Sequence, residues 1–202
     1  MIYIYGAGGH GKVVFYSFKS INVSPQAFID DKTFDSWCGI PVLKPDMLSG
    51  KSFSIHFAIG KNLIRKSLQL SWQAKGYNAE TIAHIKSMQY PNAVVGQGSF
   101  LAAGSILGVD SSLGLGCILN HNAVVDHDCQ VGDFTHIAPN ATLGGGVSVG
   151  SLCLIGAGAV VLPGLTVGDN VVVGAGAVVI KNIPCGSVVV GNPSKPLIRL
   201  LK

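Results

Sequence analysis

CILNHNAVVDHDCQVGDFTHIAPNATLGG, residues 117–145, carries an aliphatic side chain at every sixth position: Leu119, Val125, Val131, Ile137 and Leu143. The period runs back through Leu113, Leu107 and Leu101 to Val95, and on through Val149, Ile155, Val161, Val167 and Val173 to Val179. Two residues before each aliphatic position sits a small or apolar group, such as Cys117, Ala123, Cys129, Thr135 or Ala141, and glycine often follows it, as at Gly132 and Gly144. A six-residue period with strand-type residues and a turn in each unit is the signature of a parallel β-helix, whose stacked coils bury a continuous core. Three sides to a coil place residues 18 apart on top of one another, so about 90 residues make about five coils. The first and third hexad positions point inward. Cys117, Cys129 and Cys153 occupy the first and read as core filler. With Cys38 and Cys185 they form no C-x-x-C pair, and all five are expected to be reduced and buried.

Before residue 89 the chain alternates strand-like with helical runs: MIYIYG, a helix with Val14, Phe18 and Ile21 on one face, AFIDD, FSIHFAIG, and a helix with Ile64, Leu68 and Trp72 at four-residue spacing. The expected organisation is therefore α/β plus all-β: a small Rossmann-like βαβ domain over residues 1–88, then a β-helix over 89–202. GAGGHGK, residues 6–12, spaces Gly6, Gly8 and Gly11 as G-x-G-x-x-G after the first strand. Such a turn lets backbone approach phosphates at a helix N-terminus, and Asp30 or Asp31, about 20 residues on, ends the second strand where a ribose hydroxyl is met. Only one mononucleotide-binding half is present. The turn therefore points to a phosphate-bearing ligand but only weakly to a dinucleotide, with a purely structural turn as the bland alternative. Gly8, Gly9 and His10 of this turn, together with Gly60 and Lys61 after the third strand, are the candidate substrate contacts. Arg65, one helical turn further on, reads either as a ligand contact or as part of a solvated helix face.

Composition narrows the classes. Of 202 residues, 12% are charged and 48% hydrophobic, which argues against disorder. The net charge is +4 and the 14 Lys and Arg are scattered, so nucleic-acid binding has little support. Glycine interrupts every apolar stretch before the roughly 20 residues a membrane span needs, and no basic segment leads into a signal-peptide core; a cytoplasmic protein is expected. No set of His, Asp and Cys has metal-ligand spacing.

Five stretches in this order carry a resemblance: YGAGGHGK (5–12), FIDD (28–31), AIGKNLIRK (58–66), NHNAVVDHDCQVGDFTHIAPNATLGG (120–145) and VVGNPSKP (189–196). Over essentially its whole length the chain resembles hexapeptide-repeat sugar O- and N-acyltransferases. It is most similar to N-acetyltransferases of nucleotide-linked 4-amino sugars of the bacillosamine-pathway type, with sialic acid O-acetyltransferases as near relatives. The resemblance implies a left-handed β-helix, acetyl-CoA as cosubstrate, a cytoplasmic homotrimer, and sites between protomers.

The resemblance also implies residue roles. His127 matches the general base, and an unperturbed imidazole pKa near 6.5 suits that role. Asp126 or Asp128 would orient its ring, and both remain candidates, although relatives often carry the longer glutamate there. His136 matches a contact to the thioester or pantetheine, and Gly145, Ala157 and Ala175 match positions along the cofactor arm. Asn120 matches a position near the acceptor sugar. Lys181 and Lys195 are candidate partners for the cofactor phosphates. His121 receives no role. The expected reaction is acetyl transfer to the 4-amino group of a nucleotide-linked, UDP-type deoxy sugar; O-acetylation of a sugar hydroxyl is the alternative. A non-enzymatic β-helix scaffold is disfavoured by the polar cluster from Asn120 to His136.

Overall fold

The structure, a computed structural model, describes residues 1–32, 35–48 and 53–197. The N-terminal unit runs β1 (Ile2–Tyr5), α1 (Gly9–Ser20), β2 (Ala27–Ile29), β3 (Ser36–Trp37), β4 (Ile40–Leu43), β5 (Ser54–Phe57), α2 (Asn62–Ala74) and β6 (Asn78–Ala79). Its sheet has the order β3-β4-β2-β1-β5-β6, parallel except for the β3–β4 pair. The expected βαβ core is present. The β3–β4 pair was not foreseen, because its strands are short and lie around Pro41 and Gly39.

The repeat region closes into three parallel sheets. Sheet I stacks Ile82, Phe100, Ile118, His136, Leu154, Val172 and Val188; sheet II stacks Met88, Ile106, Val124, Thr142, Val160 and Val178; sheet III stacks Val94, Ser112, Gln130, Ser148 and Thr166. Register steps by 18 residues, as at Ile118↔His136, until Val172↔Val188, where the last coil is shortened. The aliphatic third position of every hexad from Leu101 to Val179 is fully buried or nearly so, with Leu101, Leu119, Leu143, Ile155 and Val173 at 0% exposure. Each such side chain contributes about 1.5–3 kcal/mol of burial. Cys117, Cys129 and Cys153 fill the core as expected, whereas Cys185 is exposed and Cys38 only half-buried.

Coiling begins earlier than the expected boundary at residue 89. Ile82–Ala83 and Met88–Gln89 already pair as first strands of sheets I and II. Ala83 and Gln89 stand where later hexads carry a large aliphatic residue, which hid the first turns from the pattern.

The two units share a core. On sheet I the outward residues Ile82, Phe100 and Ile118 pack into one cluster with Ile4, Val14, Phe15, Phe18 and Phe28, so α1 lies between its own sheet and the β-helix. Val14 and Phe18 are buried as the helical spacing predicts, but Ile21 lies beyond the helix end and is 37% exposed. The second helix departs further from expectation. Of Ile64, Leu68 and Trp72 only Trp72 is buried, and the buried face is polar: Arg65 at 1% and Gln69 at 0% exposure. Arg65 is therefore neither a solvated nor an openly accessible side chain.

Candidate active site

The turns of the solenoid follow one backbone recipe. From Gly98 to Gly176 the last position of each hexad is left-handed, filled by glycine, by the short polar residues Asp110, Asn122, Asp128, Asn140 and Asn170, which tolerate positive φ, or in two cases by the bulky Phe134 and Leu152. Asp128 occupies such a position in the turn from sheet II to sheet III, with φ 58°. The turn folds its carboxylate back onto the preceding residue, and His127 Nδ1 lies 2.8 Å from Asp128 Oδ2. A carboxylate only accepts, so Nδ1–H donates and Nε2 keeps its lone pair. Asp126 acts differently: its Oδ1 accepts from the backbone N–H of His127 at 2.8 Å. The ring partner is Asp128, a choice the sequence left open. The hydrogen bond to Asp128 and then the charge of Asp126 raise the His127 pKa above its ordinary value.

One coil on, Gly145 underlies this imidazole. A Cβ on Gly145 would overlap Cε1 and Nε2 of His127, so the ring occupies space that only glycine vacates. Pro163 and Lys181 continue the same line of turns. Ala157 and Ala175 lie in the turn from sheet I to sheet II, exposed and one coil apart, in line with His121. They share an edge as expected, but Gly145 is on a different one. Lys181 and Lys195 help line a cavity of about 430 Å³ beside the last strands of sheet I, where Val188–Val190 pairs antiparallel with Lys195–Pro196. A groove of about 530 Å³ along sheet III is lined by none of the candidate residues.

A second polar group sits on sheet I, the side facing the N-terminal unit. His136 Nε2 accepts from Asn120 Nδ2 at 3.0 Å, and its ring also hydrogen-bonds to the Gly60 backbone. Burial and then the Arg65 charge push its pKa down to about 4, so it stays neutral near pH 7. His136 thus stands with the predicted sugar-side residues Asn120 and Gly60, not beside Gly145, Ala157 or Ala175. His10, in the first turn of α1, stacks edge-on against Phe100 at 5.5 Å, and its buried Nε2 has no hydrogen-bond partner among the described residues. Burial first, then His56, His136, Arg65 and His121, lower its pKa to about 3. His121 lines a cavity of about 300 Å³ with Lys12, Tyr16, Ser17 and His84.

The glycine turn divides its labour. Gly6 has φ 109°, and a Cβ on Gly11 would overlap the Gly6 carbonyl oxygen, so these two serve the fold. Gly8 and Gly9 are exposed and face open space, which leaves backbone free for a ligand. Asp30 is committed to the loop: its Oδ2 accepts from Ala7 N at 2.8 Å and its Oδ1 from Lys32 N at 3.0 Å. Asp31 and Lys61 are exposed.

The PglD N-terminal domain family matches residues 1–71, and the bacterial transferase hexapeptide family (six repeats) matches residues 146–181. The acetyltransferase domain of PglB from Neisseria gonorrhoeae FA1090, solved with acetyl coenzyme A, is 39% identical with a TM-score of 0.93, over 97% of this chain and 98% of that one. The chain belongs to the hexapeptide-repeat sugar acetyltransferases. A histidine-to-asparagine variant of perosamine N-acetyltransferase from Caulobacter crescentus, solved with CoA and GDP-perosamine, is 34% identical with a TM-score of 0.94, over 98% and 96% of the two chains. WeeI from Acinetobacter baumannii AYE gives 30% identity and a TM-score of 0.89 over 98% and 99%. The family expected from the five sequence stretches is thus borne out over 97% of this chain.

Proposed function

We propose that the enzyme transfers an acetyl group from acetyl-CoA to the 4-amino group of a nucleotide-linked deoxy sugar, UDP-linked in the first instance, with His127 as general base. The observation that carries the base assignment is the Asp128–His127 pair over Gly145, which presents a lone pair at Nε2 on an exposed corner. Nε2 removes a proton from the amine as its nitrogen attacks the thioester carbonyl. The tetrahedral oxyanion meets a backbone N–H at Gly145, and collapse expels CoA thiolate, which takes the proton back from the imidazolium. Asp128 holds the ring in the productive tautomer and stabilises its charged form. Gly8, Gly9, His10 and Asp31 hold the nucleotide diphosphate side of the substrate, Asn120 and Gly60 the sugar, and Ala157 and Ala175 border the pantetheine arm.

A homotrimer is supported by two features. His127 lies at the corner opposite sheet I, whereas His10, Asn120 and His136 gather on sheet I, so a complete site needs a neighbouring copy. Sheet II presents Ile106, Val124, Val160 and Val178 outward, an apolar side suited to burial between subunits. Thiol release from acetyl-CoA across UDP-, dTDP- and GDP-linked 4-amino sugars, with a sialic acid as hydroxyl acceptor, tests the reading. Turnover only with the hydroxyl acceptor would replace N- by O-acetylation, and none with any acceptor would end the proposal.

A further inference from the structure

One face of α2 carries Asn62, Arg65, Gln69 and Gln73, three to four residues apart. This row lies along the corner where sheet III turns into sheet I, where Gly98, Gly116, Phe134 and Leu152 stack at 18-residue intervals. Asn62 Nδ2 donates to the carbonyls of Leu152 and Cys153, at 3.3 and 2.8 Å. Arg65 donates from Nη2 to Phe134 O at 2.9 Å and from Nε to Gly116 O at 2.7 Å. Gln69 Nε2 donates to Gln97 O at 3.1 Å. A helical turn rises about 5.4 Å and neighbouring strands lie about 4.8 Å apart, so successive turns of α2 meet successive coils. Phe134 and Leu152 hold left-handed φ of 56° and 61°, a conformation bulky L side chains adopt only at a cost, and their carbonyls receive Arg65 and Asn62.

The same guanidinium reaches the other way. Nη1 donates to Ile59 O at 2.7 Å and more weakly to Gly60 O at 3.4 Å, and Nη2 also to Asn62 Oδ1 at 2.9 Å. Its acceptors are thus four backbone carbonyls and one amide oxygen, at a residue 1% exposed. A buried charge is in itself a poor route to stability. What the planar fork supplies is a fixed distance and direction between the loop after β5 and two coils of the β-helix.

We infer that Arg65 is a positioning residue of the amino-sugar site: it locks the Ile59–Gly60 loop onto the coils of Gly116 and Phe134, and so holds Gly60 against His136, the hydrogen-bond partner of Asn120. The inference rests on the acetyl-transfer reading. Its test compares Arg65→Lys and Arg65→Met with Gln69→Met, which removes a bond of the same row that does not touch the loop. Thiol release is measured against each substrate, and melting temperature and trimer content are followed in parallel. The Arg65 variants are expected to raise the amino-sugar KM about tenfold or more while the acetyl-CoA KM stays within about twofold, with Lys retaining more function than Met. Gln69→Met should lower the melting temperature and leave both KM values alone. Should the Arg65 variants not fold, Asn62→Ala, which keeps the guanidinium but removes one of its partners, should raise the sugar KM in the same direction. Sugar kinetics unchanged in folded Arg65 variants, or in Asn62→Ala if those do not fold, would overturn the positioning role while wild-type turnover keeps the acetyl-transfer reading intact. A wild-type protein inert toward every amino sugar would remove both.

Discussion

His127 Nδ1 and Asp128 Oδ2 meet at 2.8 Å although they belong to adjacent residues, because Asp128 turns back through a left-handed φ of 58°. Asp126, on the other side, is occupied by a backbone N–H. The two aspartates should therefore separate by mutation. Asp128→Asn is expected to lower kcat by about tenfold or more by loosening the tautomer, and Asp126→Asn to have the smaller effect.

The same pair sets the pH dependence. The hydrogen bond to Asp128 raises the His127 pKa, and a general base at His127 would work only when neutral, so activity is expected to fall as pH drops through that raised value. Removing Asp128 should move the acidic limb of kcat/KM to lower pH. A limb that stays in place in Asp128→Asn would assign the titration to another group; His136 and His10, held near 4 and 3, titrate well below it.

His127→Ala should lower kcat by about 10²- to 10⁴-fold, with KM values and trimer content nearly unchanged. His127→Asn is the sharper variant, since it keeps hydrogen-bonding capacity but accepts no proton near neutrality. Near-native turnover by the asparagine variant across pH 6 to 9 would show that another group is the base.

Two glycines separate folding from chemistry. Gly145→Ala puts a methyl into the His127 ring, so kcat should fall about tenfold or more while the melting temperature hardly moves. Gly8→Val meets open space in the protein, so it should fold normally yet raise the sugar KM far more than that of acetyl-CoA. A Gly8→Val enzyme with native sugar KM would show that the turn serves the fold alone.

Stability should also depend on pH through His56. Its Nδ1 donates to Glu80 O at 2.8 Å, and burial, despite that bond, pushes its pKa down to about 4. Between about 4 and the unfolded value near 6.5 the unfolded chain binds the extra proton, so stability is full above 6.5 and is lost as pH falls toward 4, by about 3 kcal/mol. Denaturant titrations at pH 7 and pH 4.5 measure the difference. The slope should flatten in His56→Asn.

The sequence by itself determined the β-helix, its 18-residue register, the βαβ unit before it, the family, and His127 as the residue to test. The β-helix, its register and the βαβ unit rest on periodicity and on local turn chemistry, which are written in the chain wherever one side chain type recurs; the family and His127 rest on the resemblance carried by the five motif stretches. Three things were decided only by tertiary structure. The first coils at Ile82 and Met88 form because stacking on the next coil tolerates Ala83 and Gln89, where the hexad pattern fails. Asp128 rather than Asp126 meets the His127 ring, from a residue with a left-handed φ. The buried face of α2 runs through Arg65 and Gln69 rather than Ile64, since it docks against a column of coil carbonyls that call for donors, and that column exists only once residues 18 apart have been stacked.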